Sequence, residues 1–112
     1  MTLEELRRLL ENDVVLLDVR SQLEFEGRAG AHCDPRQGHI PGAVNVPVER
    51  IVECRTVEEV RALVGEPAGT EIVAYCHVGS RSGYAVQMLE DAGYPTRNYV
   101  GSWHEWSRVM VE

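Results

Sequence analysis

Two short apolar runs constrain this chain more than any other feature. Val14-Val15-Leu16-Leu17 and Ile72-Val73-Ala74-Tyr75 contain no alternating polar residue. Neither can lie on a sheet with one wet face, because every second side chain would then be apolar and exposed. Strands apolar on both faces belong in a parallel sheet covered by helices on each side. The flanking segments supply such helices. Thr2-Leu3-Glu4-Glu5 has the spacing of a capping box, and Leu3, Leu6, Leu9 and Leu10 form one stripe, so a helix is expected from Leu3 to Glu11. A second box, Thr56-Val57-Glu58-Glu59, opens a helix striped by Val57, Val60, Leu63 and Val64 and stopped by Gly65. Ser82 to Asp91 and Ser102 to Val109 read as further helices, and Ser21 to Glu26 as a short one in a glycine-rich stretch of loop. Ala43 to Pro47, Glu71 to Tyr75 and Thr96 to Val100 join Val14 to Leu17 as strands. Strands alternating with helices give an α/β fold with a parallel sheet.

In such sheets ligands sit beyond the carboxyl ends of the strands. Asp18 and Cys76 both fall at such ends. Cys76 follows the second apolar run and opens the loop His77-Val78-Gly79-Ser80-Arg81-Ser82. A helix start offers unpaired N–H groups and a partial positive charge, and both lower the pKa of a nearby thiol. Cys76 therefore reads as a nucleophile in an anion cradle, reached from solvent through the loop.

Bulk properties bound the rest. The chain of 112 residues is expected to be one domain, residues 1–112, long enough to bury a core without disulfides. Its net charge is −7 and all 11 basic residues are arginine. Without a basic cluster it suits neither nucleic acid nor an anionic membrane surface. No apolar stretch approaches the roughly 20 residues of a membrane span. The acidic start has no secretory pattern, so the expected location is cytoplasmic. Cys33, Cys54 and Cys76 have no framework spacing. Cys33 and Cys54 read as incidental, with Cys33 a candidate resolving thiol. His32 and Cys33 with His39 suggest a metal, but no CxxC or HxxxH spacing supports zinc. The expectation is no metal and no cofactor.

Four segments resemble the rhodanese family of sulfurtransferases, in family order. Leu17-Asp18-Val19-Arg20 with Glu24-Phe25 resembles its first signature. Gly38-His39-Ile40-Pro41-Gly42-Ala43-Val44-Asn45-Val46-Pro47 resembles its second. Cys76 to Ser82 resembles its cysteine loop, and Gly101-Ser102-Trp103-His104-Glu105-Trp106 is similar to the end of the catalytic half of two-domain members. The resemblance implies a three-layer fold with a mostly parallel five-stranded sheet and helices on both faces. It also implies a Cys76 persulfide. A small anionic donor such as thiosulfate would supply the sulfur, and a thiophilic acceptor (cyanide, a thiol or a sulfur-accepting protein) would remove it. His77, Val78, Gly79, Ser80 and Arg81 would bind substrate, and Asp18 and Arg20 would support the loop.

Two alternatives remain. Cysteine phosphatases and arsenate reductases use a related cradle, but the phosphatase pattern places five residues between cysteine and arginine, and four separate Cys76 from Arg81. A non-catalytic or regulatory module of the same fold would usually lack the cysteine, which this chain keeps, whereas a sulfur carrier would retain it. Glu24 and Val78 stand where thiosulfate-specific relatives often carry basic residues, which leaves the donor open.

Overall fold

The computed structural model describes residues 1–110. In chain order the elements are α1 (Leu3–Leu9), β1 (Val15–Asp18), α2 (Gln22–Phe25), β2 (Val44–Asn45), α3 (Val48–Val52), α4 (Val57–Val64), β3 (Ile72–Tyr75), α5 (Ser80–Asp91), β4 (Thr96–Asn98) and α6 (Ser102–Val109). The strands form one parallel sheet in the order β2-β1-β3-β4. This corrects the expected five strands to four. Among the described residues no fifth strand-type run exists. The N-terminal leucines form α1, whose capping box leaves them one face to bury.

The two apolar runs divide their side chains between the sheet's faces, as the period of two requires. Leu17, Ile72, Ala74 and Cys76 pack on one side with Val48 and Ile51 of α3, Val60 and Val64 of α4, and Ala85 and Leu89 of α5. Leu16, Val73 and Tyr75 pack on the other with Leu6 of α1 and Trp103 and Trp106 of α6. The sheet is therefore the middle of three layers, with helices on both faces as expected.

Local chemistry sets the element ends. Gly65 takes a left-handed conformation, φ 78°, after α4 and stops it where expected. The strand expected over Ala43 to Pro47 shrinks to two residues, because Pro47 caps an unforeseen helix, α3. Proline's fixed φ suits a helix start, and Val48 and Ile51, three apart, both become buried. None of the helices among the described residues is long and apolar enough to cross a membrane. In register, Asp18 lies opposite Tyr75. The ends of β1 and β3 are thus level, and Cys76 follows one residue beyond.

Candidate active site

Four residues, Cys76 to Gly79, connect β3 to α5. Gly79 makes the turn possible, with φ 96°, a conformation that costs an L side chain. A Cβ there would also lie 3.0 Å from Val100 Cγ1 and from the Val100 carbonyl oxygen. The tight turn brings the Gly79 N–H to 3.1 Å from Cys76 Sγ. Ser82, in the first turn of α5, places its hydroxyl 3.3 Å from the same sulfur.

The carbonyls of the loop are held outward. Trp103 N–H donates to the Cys76 carbonyl and His104 N–H to that of His77, each at 3.0 Å. The start of α6 thus grips the loop by its acceptors. Asn98 Nδ2 donates to the Gly79 carbonyl at 3.0 Å. Cys76 N–H donates to Ser102 Oγ, whose hydroxyl donates on to the Tyr99 carbonyl. With acceptors occupied outside, donors face the sulfur. Burial alone would push the Cys76 thiol up. Hydrogen bonds from the Ser82 hydroxyl and from the N–H groups of Ser82, Gly79 and Val78 outweigh it and bring the thiol below its ordinary value. Such a thiol is ionised more readily and is a better nucleophile at neutral pH.

Two features depart from the simple cradle. Cys76 is fully buried rather than open to solvent, so the sulfur forms the floor of the loop and not its rim. Arg81 is engaged: its Nη1 and Nη2 donate to the two carboxylate oxygens of Glu24 at 2.7 and 3.1 Å. Burial raises the Glu24 carboxyl, but the Arg81 hydrogen bond and the Ser21 N–H outweigh it and hold it at about 2. Ser21 and Glu24 also close a capping box on α2. One carboxylate thus both caps a helix and fixes the loop's arginine.

The other expected residues separate by place. Val78 and Ser80 are exposed and Gly79 is buried. His77 Nε2 lies 2.9 Å from Asp34 Oδ2. Asp18 and Arg20 form a fully buried pair, with Arg20 Nη2 2.7 Å from Asp18 Oδ2. Arg20 also donates to the Gly38 carbonyl at 2.6 Å and lies over the rings of Tyr75 and Trp103. The pair reaches the cysteine loop through those rings. Tyr75 precedes Cys76, and Trp103 binds its carbonyl. His39 stacks on Phe25 and bonds the Phe25 carbonyl, away from the loop. Sequence reasoning missed Ser82 and Asn98. The available signal for Ser82 was its position one helical turn past Gly79.

A thiol beneath an N–H ring at a strand-to-helix turn narrows the family. The family model for the rhodanese-like domain matches residues 2–109. The chain belongs to the rhodanese-like domain family. A curated relative from Thermus thermophilus, the sulfur carrier protein TtuD, is 37% identical over 96% of this chain and 43% of its own length. A solved structure described as a probable thiosulfate sulfurtransferase is 40% identical, with a TM-score of 0.83, over 96% of this chain and 44% of that one. The human single-domain sulfurtransferase TSTD1 is 31% identical with a TM-score of 0.76, and the match covers 99% of this chain and 96% of that one. This rhodanese-like chain thus spans under half the length of TtuD and nearly all of TSTD1.

Proposed function

We propose that this rhodanese-like chain moves sulfane sulfur through a persulfide on Cys76. The carrying observation is the buried sulfur that accepts Gly79 N–H and lies beside the Ser82 hydroxyl. The Cys76 thiolate attacks the outer sulfur of a donor. With thiosulfate, a Cys76 S–S bond forms, the donor's S–S bond breaks, and sulfite leaves with the bonding pair. Cyanide or a thiolate then attacks the outer sulfur of the persulfide and returns Cys76 as thiolate. Two half-reactions through one covalent intermediate give ping-pong kinetics. The loop N–H groups stabilise thiolate and persulfide alike, since both are anions at nearly the same place.

Arg81 assists an anionic donor only as far as Glu24 releases it. That pairing favours a carrier role, in which sulfur arrives from another persulfide rather than from free thiosulfate. The relative named as a sulfur carrier agrees with this reading. Intact-mass measurement after exposure to thiosulfate, and separately to a small-molecule persulfide, tests it. The expected gain is about 32 Da, one sulfur on the thiol, removed by cyanide and absent in Cys76→Ser. A larger gain from the persulfide than from thiosulfate supports the carrier role. No gain from either donor, together with turnover of an aryl phosphate, overturns the proposal.

A further inference from the structure

Behind the cysteine loop, three stretches distant in sequence bring four ligand-type side chains together. Cys33 and Asp34 come from the glycine-rich loop, His77 from the cysteine loop and His104 from the first turn of α6. The His104 N–H donates to the His77 carbonyl, which fixes the two histidines relative to each other. Their rings meet edge to face, with centroids 5.5 Å apart. One ligand atom from each of the four residues lies within 4.8 Å of all the others. We propose that Cys33, Asp34, His77 and His104 form a binding site for a thiophilic divalent cation, zinc above all.

The spacing is close to what a tetrahedral ion requires. Bonds of about 2.0–2.3 Å place donor atoms roughly 3.3–3.6 Å apart at the tetrahedral angle. His104 Nδ1 is 3.4 Å from Asp34 Oδ1, within that range, and His77 Nε2 is 2.9 Å from the other carboxylate oxygen, Oδ2, short of it. Cys33, which is exposed, supplies the fourth donor within the same 4.8 Å cluster.

A second observation is the poor satisfaction of one buried pair within the cluster. The Asp34 side chain is fully buried, yet its Oδ2 makes no directed hydrogen bond, and neither does the buried His77 Nε2 opposite. The two atoms have only each other, 2.9 Å apart and without hydrogen-bond geometry, and native proteins rarely leave buried polar atoms so poorly satisfied. A cation bound to both, with the two atoms moved slightly apart to tetrahedral spacing, satisfies both at once.

Arg108 identifies the sign of the charge the cluster wants. Its Nη1 lies 2.8 Å from Asp34 Oδ1 and 3.1 Å from His104 Nδ1, and its Nη2 donates to the Cys33 carbonyl. A guanidinium only donates, so toward Arg108 the His104 Nδ1 acts as acceptor, with its lone pair directed at Nη1. Arg108 is about a third exposed near the end of α6 and is held by Asp34 and by the His104 and Cys33 carbonyls, contacts that a bound ion would have to displace. It competes with the metal rather than helping it. A thiolate, two imidazoles and one carboxylate suit zinc, whereas magnesium and calcium demand oxygen throughout.

Zinc competition against a chromophoric chelator tests the site, with cobalt as the spectroscopic probe. The background is Cys76→Ser, so the nucleophile cannot supply a ligand. The expected result is one equivalent of zinc, and for cobalt a tetrahedral visible spectrum with a thiolate charge-transfer band. Cys33→Ser removes that band. Outer partners of metal ligands are worth roughly 10–100-fold in affinity, so removing a ligand by Cys33→Ser or His104→Ala weakens zinc by about 100-fold or more. Arg108→Gln tightens it by about 10-fold. Both ligand variants alter side chains that are at least partly exposed, and circular dichroism confirms their folding. Failure to bind zinc stoichiometrically, or binding unchanged by both ligand variants, overturns the proposal.

Discussion

Ser82 carries one hydroxyl proton and has two acceptors for it. Asn98 Oδ1 lies 2.7 Å away and Cys76 Sγ 3.3 Å away. Asn98 cannot turn aside, because its Nδ2 is committed to the Gly79 carbonyl. The nearer oxygen holds the proton while Cys76 is a neutral thiol. Once the sulfur is charged it becomes the stronger acceptor, and the hydroxyl turns to it. Ser82→Ala removes that stabilisation from the thiolate alone. A hydrogen bond to a charged group is worth about 1.5–3 kcal/mol, so the Cys76 pKa rises by at least about one unit. The pH profile of alkylation by iodoacetamide moves up by the same amount, and an unmoved profile would refute this role for Ser82. Glu24 makes a second residue-level case. Glu24→Gln keeps a capping side chain on α2 but removes the charge that occupies Arg81. A freed guanidinium holds a dianion, so thiosulfate turnover, as kcat/KM, should rise about tenfold, the equivalent of about 1.4 kcal/mol. Turnover of a persulfide donor, which carries a single charge, should rise less. The same pair sets a pH dependence. Glu24 is depressed to about 2 from its ordinary 4.5. Its contribution to stability is complete above about pH 5 and is lost as the pH falls toward 2. Acid unfolding followed by circular dichroism should therefore be less steep in Glu24→Gln over that window.

At the scale of elements, the turn into α5 decides the site. No side chain caps α5, and this leaves its first N–H groups for the sulfur. The cost is borne by Gly79, whose φ and contact with Val100 exclude a side chain. Gly79→Ala should destabilise the protein by about 1–3 kcal/mol and lower the melting temperature in calorimetry. It should also slow persulfide formation, because the N–H at 3.1 Å from Sγ shifts. The elements legible in the sequence are those with local signals. Thr2 and Glu5 close the expected capping box, and Thr56 accepts the Glu59 N–H as expected. Helix α3 carried no such signal. Its Val48, Ile51 and Val52 favour strands by propensity, and burial of Val48 and Ile51 against the sheet overrides that. The cysteine loop was legible because its chemistry lies within seven consecutive residues. The Arg81–Glu24 and His77–Asp34 pairs were not, since their partners lie 57 and 43 positions away, and nothing local ties them together. The buried position of Cys76 was equally hidden, because the α3, α4 and α5 side chains it packs with lie elsewhere in the chain.

Across the whole molecule, the sheet separates two tasks. The face carrying Cys76 packs α3, α4 and α5. The opposite face carries the Asp18–Arg20 pair among Tyr75, Trp103 and the Gly38 carbonyl. That pair joins the end of β1 to the segment around Gly38 and to α6, the same helix that grips the loop. Four hydrogen bonds join the two residues, and both side chains are buried beneath the rings. A buried ion pair contributes little net stability when both partners are present, but removing one leaves an uncompensated charge and costs about 3–5 kcal/mol. Arg20→Met should therefore lower the melting temperature by more than about 10 °C, at several degrees per kcal/mol for a chain of this size. The double change Asp18→Leu with Arg20→Met removes both charges and should recover much of that loss. If the double variant melts as low as the single one, the pair's role is packing and not charge. If it recovers stability but persulfide formation stays slow, the pair positions the loop through Tyr75 and Trp103 as well as filling the core.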